Sequence, residues 1–83
     1  SRNGEFQEKI DALNMQLEND LKIVELQKEI LEQTEVQLSN GVINTNDYLL
    51  QVNAELSARQ KYQLHTIQLK QLEINFLTLL GLL

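Results

Sequence analysis

Apolar residues recur along this chain in steps of three, four and seven, and the pattern breaks once, near the middle. Ile10, Leu17, Val24, Leu31 and Leu38 repeat every seven residues, with Leu13 and Leu21 flanking the line. This spacing predicts a first helix over residues 6–39 with one apolar stripe. A strict seven-residue repeat also favours gentle left-handed supercoiling. The partner positions are polar. Asp20, Gln27 and Thr34 fall where a strong coiled coil has Leu. A second apolar group, Met15, Ile23, Leu26 and Ile30, lies off the stripe. Glu5 with Lys9 and Glu18 with Lys22 form favourable four-residue pairs, each worth about 0.2–0.5 kcal/mol.

A second helix is predicted over residues 46–80. Tyr62, His65, Leu69, Leu72, Phe76, Leu79 and Leu83 alternate steps of three and four. Traced backward, this seam passes Ala58, Glu55, Gln51 and Tyr48, so it turns polar and small toward the middle of the chain. Leu49, Leu56, Ile67 and Ile74 form a second group off the seam. At 1.5 Å per residue each arm spans roughly 50 Å. A lone hairpin covers one face of each helix, so the other faces call for further helices. The two-faced arms predict self-assembly into a helical bundle.

The break lies at residues 40–45. Gly41 follows Leu38-Ser39-Asn40, where a helix C-terminal cap is expected, and adopts a left-handed backbone without the roughly 1–2 kcal/mol that another residue incurs. Asn44 or Thr45 is placed to cap the second helix, typically worth about 1 kcal/mol. Asp47 falls in its first turn, where a negative charge suits the helix dipole. Local capping accounts for these residues but not for Val42 and Ile43. Two branched apolar residues at an exposed tip suggest a contact surface.

Composition narrows the class. Eighty-three residues allow one small domain. The chain has no proline, as long uninterrupted helices require. It has no cysteine, hence no disulfide frame and no thiolate site. The net charge of −5 argues against a nucleic-acid partner. The charge is uneven: residues 1–40 hold nine acids and four bases, and residues 41–83 hold three of each. The polar opening Ser1-Arg2-Asn3-Gly4 does not resemble a signal peptide, and residues 1–5 read as a disordered or cloning-derived N-terminus. Ile74 to Leu83 is too short to cross a membrane, which takes about 20 apolar residues. Residues 81–83 read as the end of a fragment cut from a larger protein.

No reacting constellation is visible. There is no nucleophile with a base, no phosphate loop and no metal-ligand spacing, so neither an enzyme nor a cofactor is expected. His65, on the seam between Tyr62 and Leu69, reads as a packed or partly solvated helix residue. The acids of the first arm, Glu32 and Glu35 among them, read as a solvated face, and Tyr48 as a packing residue.

Asn40-Gly41-Val42-Ile43-Asn44-Thr45-Asn46-Asp47-Tyr48-Leu49-Leu50 resembles the helical tip of the TolC-type outer-membrane efflux proteins. The family pattern is a helix ending in glycine, a small polar residue, and an Asp-x-Leu start to the next helix. Ala and Leu then recur, and the helix ends in Leu-Gly. Here these are Gly41, Asn44 or Thr45, Asp47-Tyr48-Leu49, then Ala54, Leu56 and Ala58, and Leu80-Gly81. The resemblance covers about residues 20–81 and matches the second, C-terminal hairpin of the periplasmic tunnel.

The resemblance implies an all-α antiparallel hairpin, coiled-coil-like, cut from an α-helical barrel. The intact protein would be a trimer anchored in the bacterial outer membrane, with this segment in the periplasm. Asn40, Gly41, Val42, Ile43, Asn44 and Thr45 would dock onto a periplasmic adaptor protein and, through it, meet an inner-membrane transporter in a tripartite pump. Asp47 and Leu50 would stand at the channel entrance and gate. Three positions depart from the family. The second gate position, acidic in the family, is Leu50. A basic tip position is Ile43, and an aromatic ahead of the glycine is Leu38. The charged lock is therefore not carried over. Two other readings share this shape: the helical hairpin of a periplasmic adaptor, and a generic coiled-coil interaction module.

Overall fold

A computed structural model describes all 83 residues. It contains two α-helices, α1 (Arg2–Ser39) and α2 (Thr45–Leu79), packed antiparallel into a hairpin of 60 × 17 × 14 Å. No helix is long and apolar enough to cross a membrane.

The helix boundaries follow the capping chemistry, with one correction. The helix was expected from Phe6, yet α1 begins at Arg2. The Gly4 amide donates to Ser1 Oγ at 3.1 Å, and the Glu5 amide to the Ser1 carbonyl at 2.9 Å. Ser1 is thus an N-cap, and Glu5 places a negative charge in the first turn, where the helix dipole favours it. Residues 2–5 are therefore helical rather than disordered. The expected ion pairs Glu5–Lys9 and Glu18–Lys22 do not close. The pair that does is Glu55–Arg59 on α2, at 2.7 Å.

The inward faces keep the seven-residue period. On α1, Phe6, Ile10, Leu13, Leu17, Val24, Gln27, Leu31 and Leu38 are half-buried, and Asp20 and Thr34 are buried. On α2, Tyr48, Gln51, Glu55, Ala58, Tyr62, His65, Leu69, Leu72 and Phe76 are half-buried. The α2 seam follows the predicted residues up to Phe76. Leu79 and Leu83 were expected to continue it but are exposed; Leu83 lies past the end of α2, beyond Gly81 at φ +75°. At the open end Phe6 and Phe76 stack, with ring centroids 5.5 Å apart and planes 7° apart. An aromatic pair in this geometry adds about 0.5–1.5 kcal/mol to its area burial.

No apolar residue is fully buried. Two helices shield each other on one side only, so even seam leucines keep part of their surface in water. The most sequestered residue is instead a carboxylate, Asp20, at 2% exposure.

Candidate functional site: the hairpin tip and the polar seam behind it

Two interlocking caps build the tip. Asn40 ends α1 at φ −88°, ψ 1°, and Gly41 follows at φ +71°. The Gly41 amide then donates to the Leu38 carbonyl at 3.0 Å and the Val42 amide to the Gln37 carbonyl at 2.9 Å. This pair of bonds is the Schellman motif, which satisfies carbonyls that the helix end would otherwise leave free. A Cβ built on Gly41 meets nothing within 4 Å. Glycine is required there by its backbone angle and not by crowding.

Three residues later the chain re-enters helix. Asn44, extended at φ −97°, ψ 173°, is the N-cap. The Asp47 amide donates to Asn44 Oδ1 at 2.9 Å, and the Asn44 amide to Asp47 Oδ2 at 3.2 Å. This reciprocal capping box resolves the choice between Asn44 and Thr45 in favour of Asn44. Thr45 is the first residue of α2 and is exposed. Val42 projects into solvent at 69% exposure, whereas Ile43 folds back and is half-buried. Only one of the two branched residues therefore offers its full surface.

The two entrance candidates differ in what they can do. Asp47 has one carboxylate oxygen tied to its own helix start, and no cation lies within ion-pair distance of it. Leu50, one turn further on, is 68% exposed and brings no charge. The structure thus places Asp47 and Leu50 on neighbouring surface but does not pair them with a lock.

Behind the tip, polar residues replace apolar ones along the seam. Thr34 Oγ1 donates to the Ile30 carbonyl at 2.6 Å. Gln51 Nε2 donates across the hairpin to Gln27 Oε1 at 2.8 Å and to the Gln27 carbonyl at 3.1 Å. Deeper still, His65 Nδ1 donates to Asp20 Oδ2, and Gln16 Nε2 donates to Asp20 Oδ1 at 3.0 Å. No buried side-chain polar atom lacks a partner. Burial alone raises the carboxyl pKa of Asp20. The hydrogen bonds from His65 and Gln16 and the positive charge of His65 and Lys61 outweigh it, and hold the group below its ordinary value.

Asp20 and His65 each stand out in the sequence, one as a flaw in a heptad and the other as a lone histidine. Their pairing follows only once the hairpin is closed. Asp20 lies 21 residues before Gly41 and His65 24 residues after it, so antiparallel packing brings them to one level. Neither hydrogen-bonds a hydroxyl, and no three acidic or histidine side chains cluster as a metal site would need. The pair is suited to fixing how the helices align. The tip is suited to presenting a rigid, mostly backbone surface. Comparison with protein-family models, curated proteins and solved structures gives no match to this chain.

Proposed function

We propose that this hairpin is a periplasmic tunnel segment of a TolC-type outer-membrane efflux or secretion channel, and that its tip docks onto a periplasmic adaptor protein. The tip itself carries the reading. A glycine cap and a capping box lie only three residues apart and hold Val42 outward on a short, rigid turn. A surface of this kind is recognised mainly by backbone shape, so it tolerates the departures at Ile43 and Leu50. In this reading Asn40, Gly41, Val42, Asn44 and Thr45 form the docking surface together with Ile43, which is half-buried and offers only part of its side chain. In this role the segment is passive: it forms part of a duct wall, and the energy for transport comes from the inner-membrane partner.

The test uses the full-length parent protein. Gly41→Trp should abolish efflux while the trimer still assembles, because the side chain would extend into the open space in front of the tip. Wild-type efflux from a trimer carrying Gly41→Trp would sink the docking role.

A further inference from the structure

The tip holds a reactive pair as well as a rigid shape. Asn40, Asn44 and Asn46 all lie at it, and only Asn40 is followed by glycine. Asn44 accepts the Asp47 amide through its side chain at 2.9 Å and precedes the branched Thr45. Asn46 lies inside α2 and precedes Asp47. Asn40 is exposed and stands outside both helices. Its carboxamide takes no part in the α1 cap, whose bonds all join backbone groups: the Asn40 amide to the Val36 carbonyl, Gly41 to Leu38, and Val42 to Gln37.

The side-chain carbonyl of an asparagine lies close enough to the next backbone nitrogen to close a cyclic imide. Glycine favours the closure twice, since no side chain shields its nitrogen and its backbone reaches conformations closed to other residues. A Cβ at position 41 would meet nothing within 4 Å, so the turn is also open to water. One restraint opposes the reaction. The Gly41 N–H is held by the Leu38 carbonyl at 3.0 Å, and Asn40 is fixed at ψ 1°. Closure therefore waits for the cap to open, and exposed helix ends are among the first parts of a fold to do so.

We infer that Asn40 is a self-modification site, converted through a cyclic imide with Gly41 to isoaspartate and aspartate at a rate gated by the α1 cap. The Gly41 nitrogen gives its proton to solvent base and attacks Asn40 Cγ. A C–N bond forms, the Cγ–Nδ2 bond breaks, and Nδ2 takes up a proton and leaves as ammonia. Water then opens the imide at either carbonyl, so the net change is amide plus water to carboxylate plus ammonium. Opening at the main-chain carbonyl reroutes the backbone through Cβ and Cγ, and the added carbon shifts the Gly41 amide away from the Leu38 carbonyl. Both products place a negative charge at the end of α1, where the helix dipole disfavours it. Residues 36–46 are the longest stretch of the chain without a charged side chain, and the last turn of α1 has no basic residue to offset the new carboxylate. The inference rests on the chemistry of the turn and stands independently of the channel reading.

Peptide mapping by mass spectrometry tests it on the 83-residue chain held in warm, mildly alkaline buffer, with circular dichroism confirming that the chain is helical. The map separates Asn40 from Asn3-Gly4, the same pair inside the first turn of α1. Asn40 should convert in the folded chain, with isoaspartate in excess of aspartate. Guanidinium chloride should speed conversion about tenfold, which corresponds to about 1.4 kcal/mol of cap opening. In guanidinium chloride, where no cap enters the comparison, Gly41→Ala should slow conversion at least about tenfold. The converted chain, isolated by ion exchange, should unfold at a lower urea concentration than the unconverted chain. Conversion in guanidinium chloride with none in native buffer overturns the inference, and equal rates in the two overturn the gating. Aspartate without isoaspartate overturns the route through Gly41. An unchanged urea midpoint overturns the effect on the cap.

Discussion

Replacing His65 by Leu tests how the hairpin tolerates a carboxylate in its seam. The substitution removes the only side chain of the other helix that hydrogen-bonds Asp20, leaving the hydrogen bond from Gln16 at 3.0 Å. Taking a hydrogen-bond partner from a buried polar group typically costs about 1–3 kcal/mol, and more when that group is a carboxylate. Two features reduce that here: Asp20 keeps its Gln16 donor, and the His65 side chain is already 17% exposed. We expect His65→Leu to destabilise the hairpin by about 2–3 kcal/mol. The double variant Asp20→Leu/His65→Leu should recover wild-type stability or exceed it by about 1–4 kcal/mol, because two leucines complete the heptad without a charge to desolvate. Urea denaturation followed by helical circular dichroism measures both, with chain concentration held fixed so that association does not enter. Acid adds an independent arm. The folded-state pKa of Asp20 lies below its ordinary value of about 4. Its stabilising contribution is therefore fully present above pH 4 and is lost as the pH falls through the folded value. The wild type should weaken in that range relative to the double-leucine variant. If His65→Leu stays within about 0.5 kcal/mol of wild type, the pair is incidental and the reasoning fails.

Gly41→Ala should cost about 1–2 kcal/mol from its left-handed backbone alone, since its Cβ meets nothing, and the urea midpoint reads the loss. Asn44→Ala should cost about 1 kcal/mol in the same assay, and adding Asp47→Ala should cost less than the sum of the two singles, because they share one capping box. Phe76→Ala should destabilise by about 1–3 kcal/mol and raise amide exchange first at the open end, where it stacks on Phe6. Leu50→Glu should leave stability within about 0.5 kcal/mol, as this side chain already stands in solvent.

Much of this architecture was legible from residue order. Helical period survives in local spacing, so the α2 seam from Tyr48 to Phe76 could be traced residue by residue. Gly41 and Asn44 were equally legible, because caps are local chemistry. Three things were not. The start of α1 was obscured by Gly4, a poor helix former, although Ser1 supplies the cap that outweighs it. The Asp20–His65 pair depends on the level at which two distant segments meet, which periodicity within one arm does not encode. The tip's two branched residues read alike in sequence, yet the turn buries part of Ile43 and frees Val42. Of the site, the backbone frame was readable, and the division between exposed and folded-back side chains was not.

The unbroken seam also limits how such a hairpin can change length. Each side presents one inward line with a seven-residue period, and Gly41 with its caps closes the arms against each other. Removing one residue from an arm turns everything beyond it by about 100° and carries the seam into water. Removing seven from each arm keeps every remaining layer in step and draws the tip back by about 10 Å. Reach is therefore quantised: viable relatives of this hairpin should differ by whole heptads taken in matched pairs, with the glycine turn carried along unchanged at whatever depth the shortened arms place it.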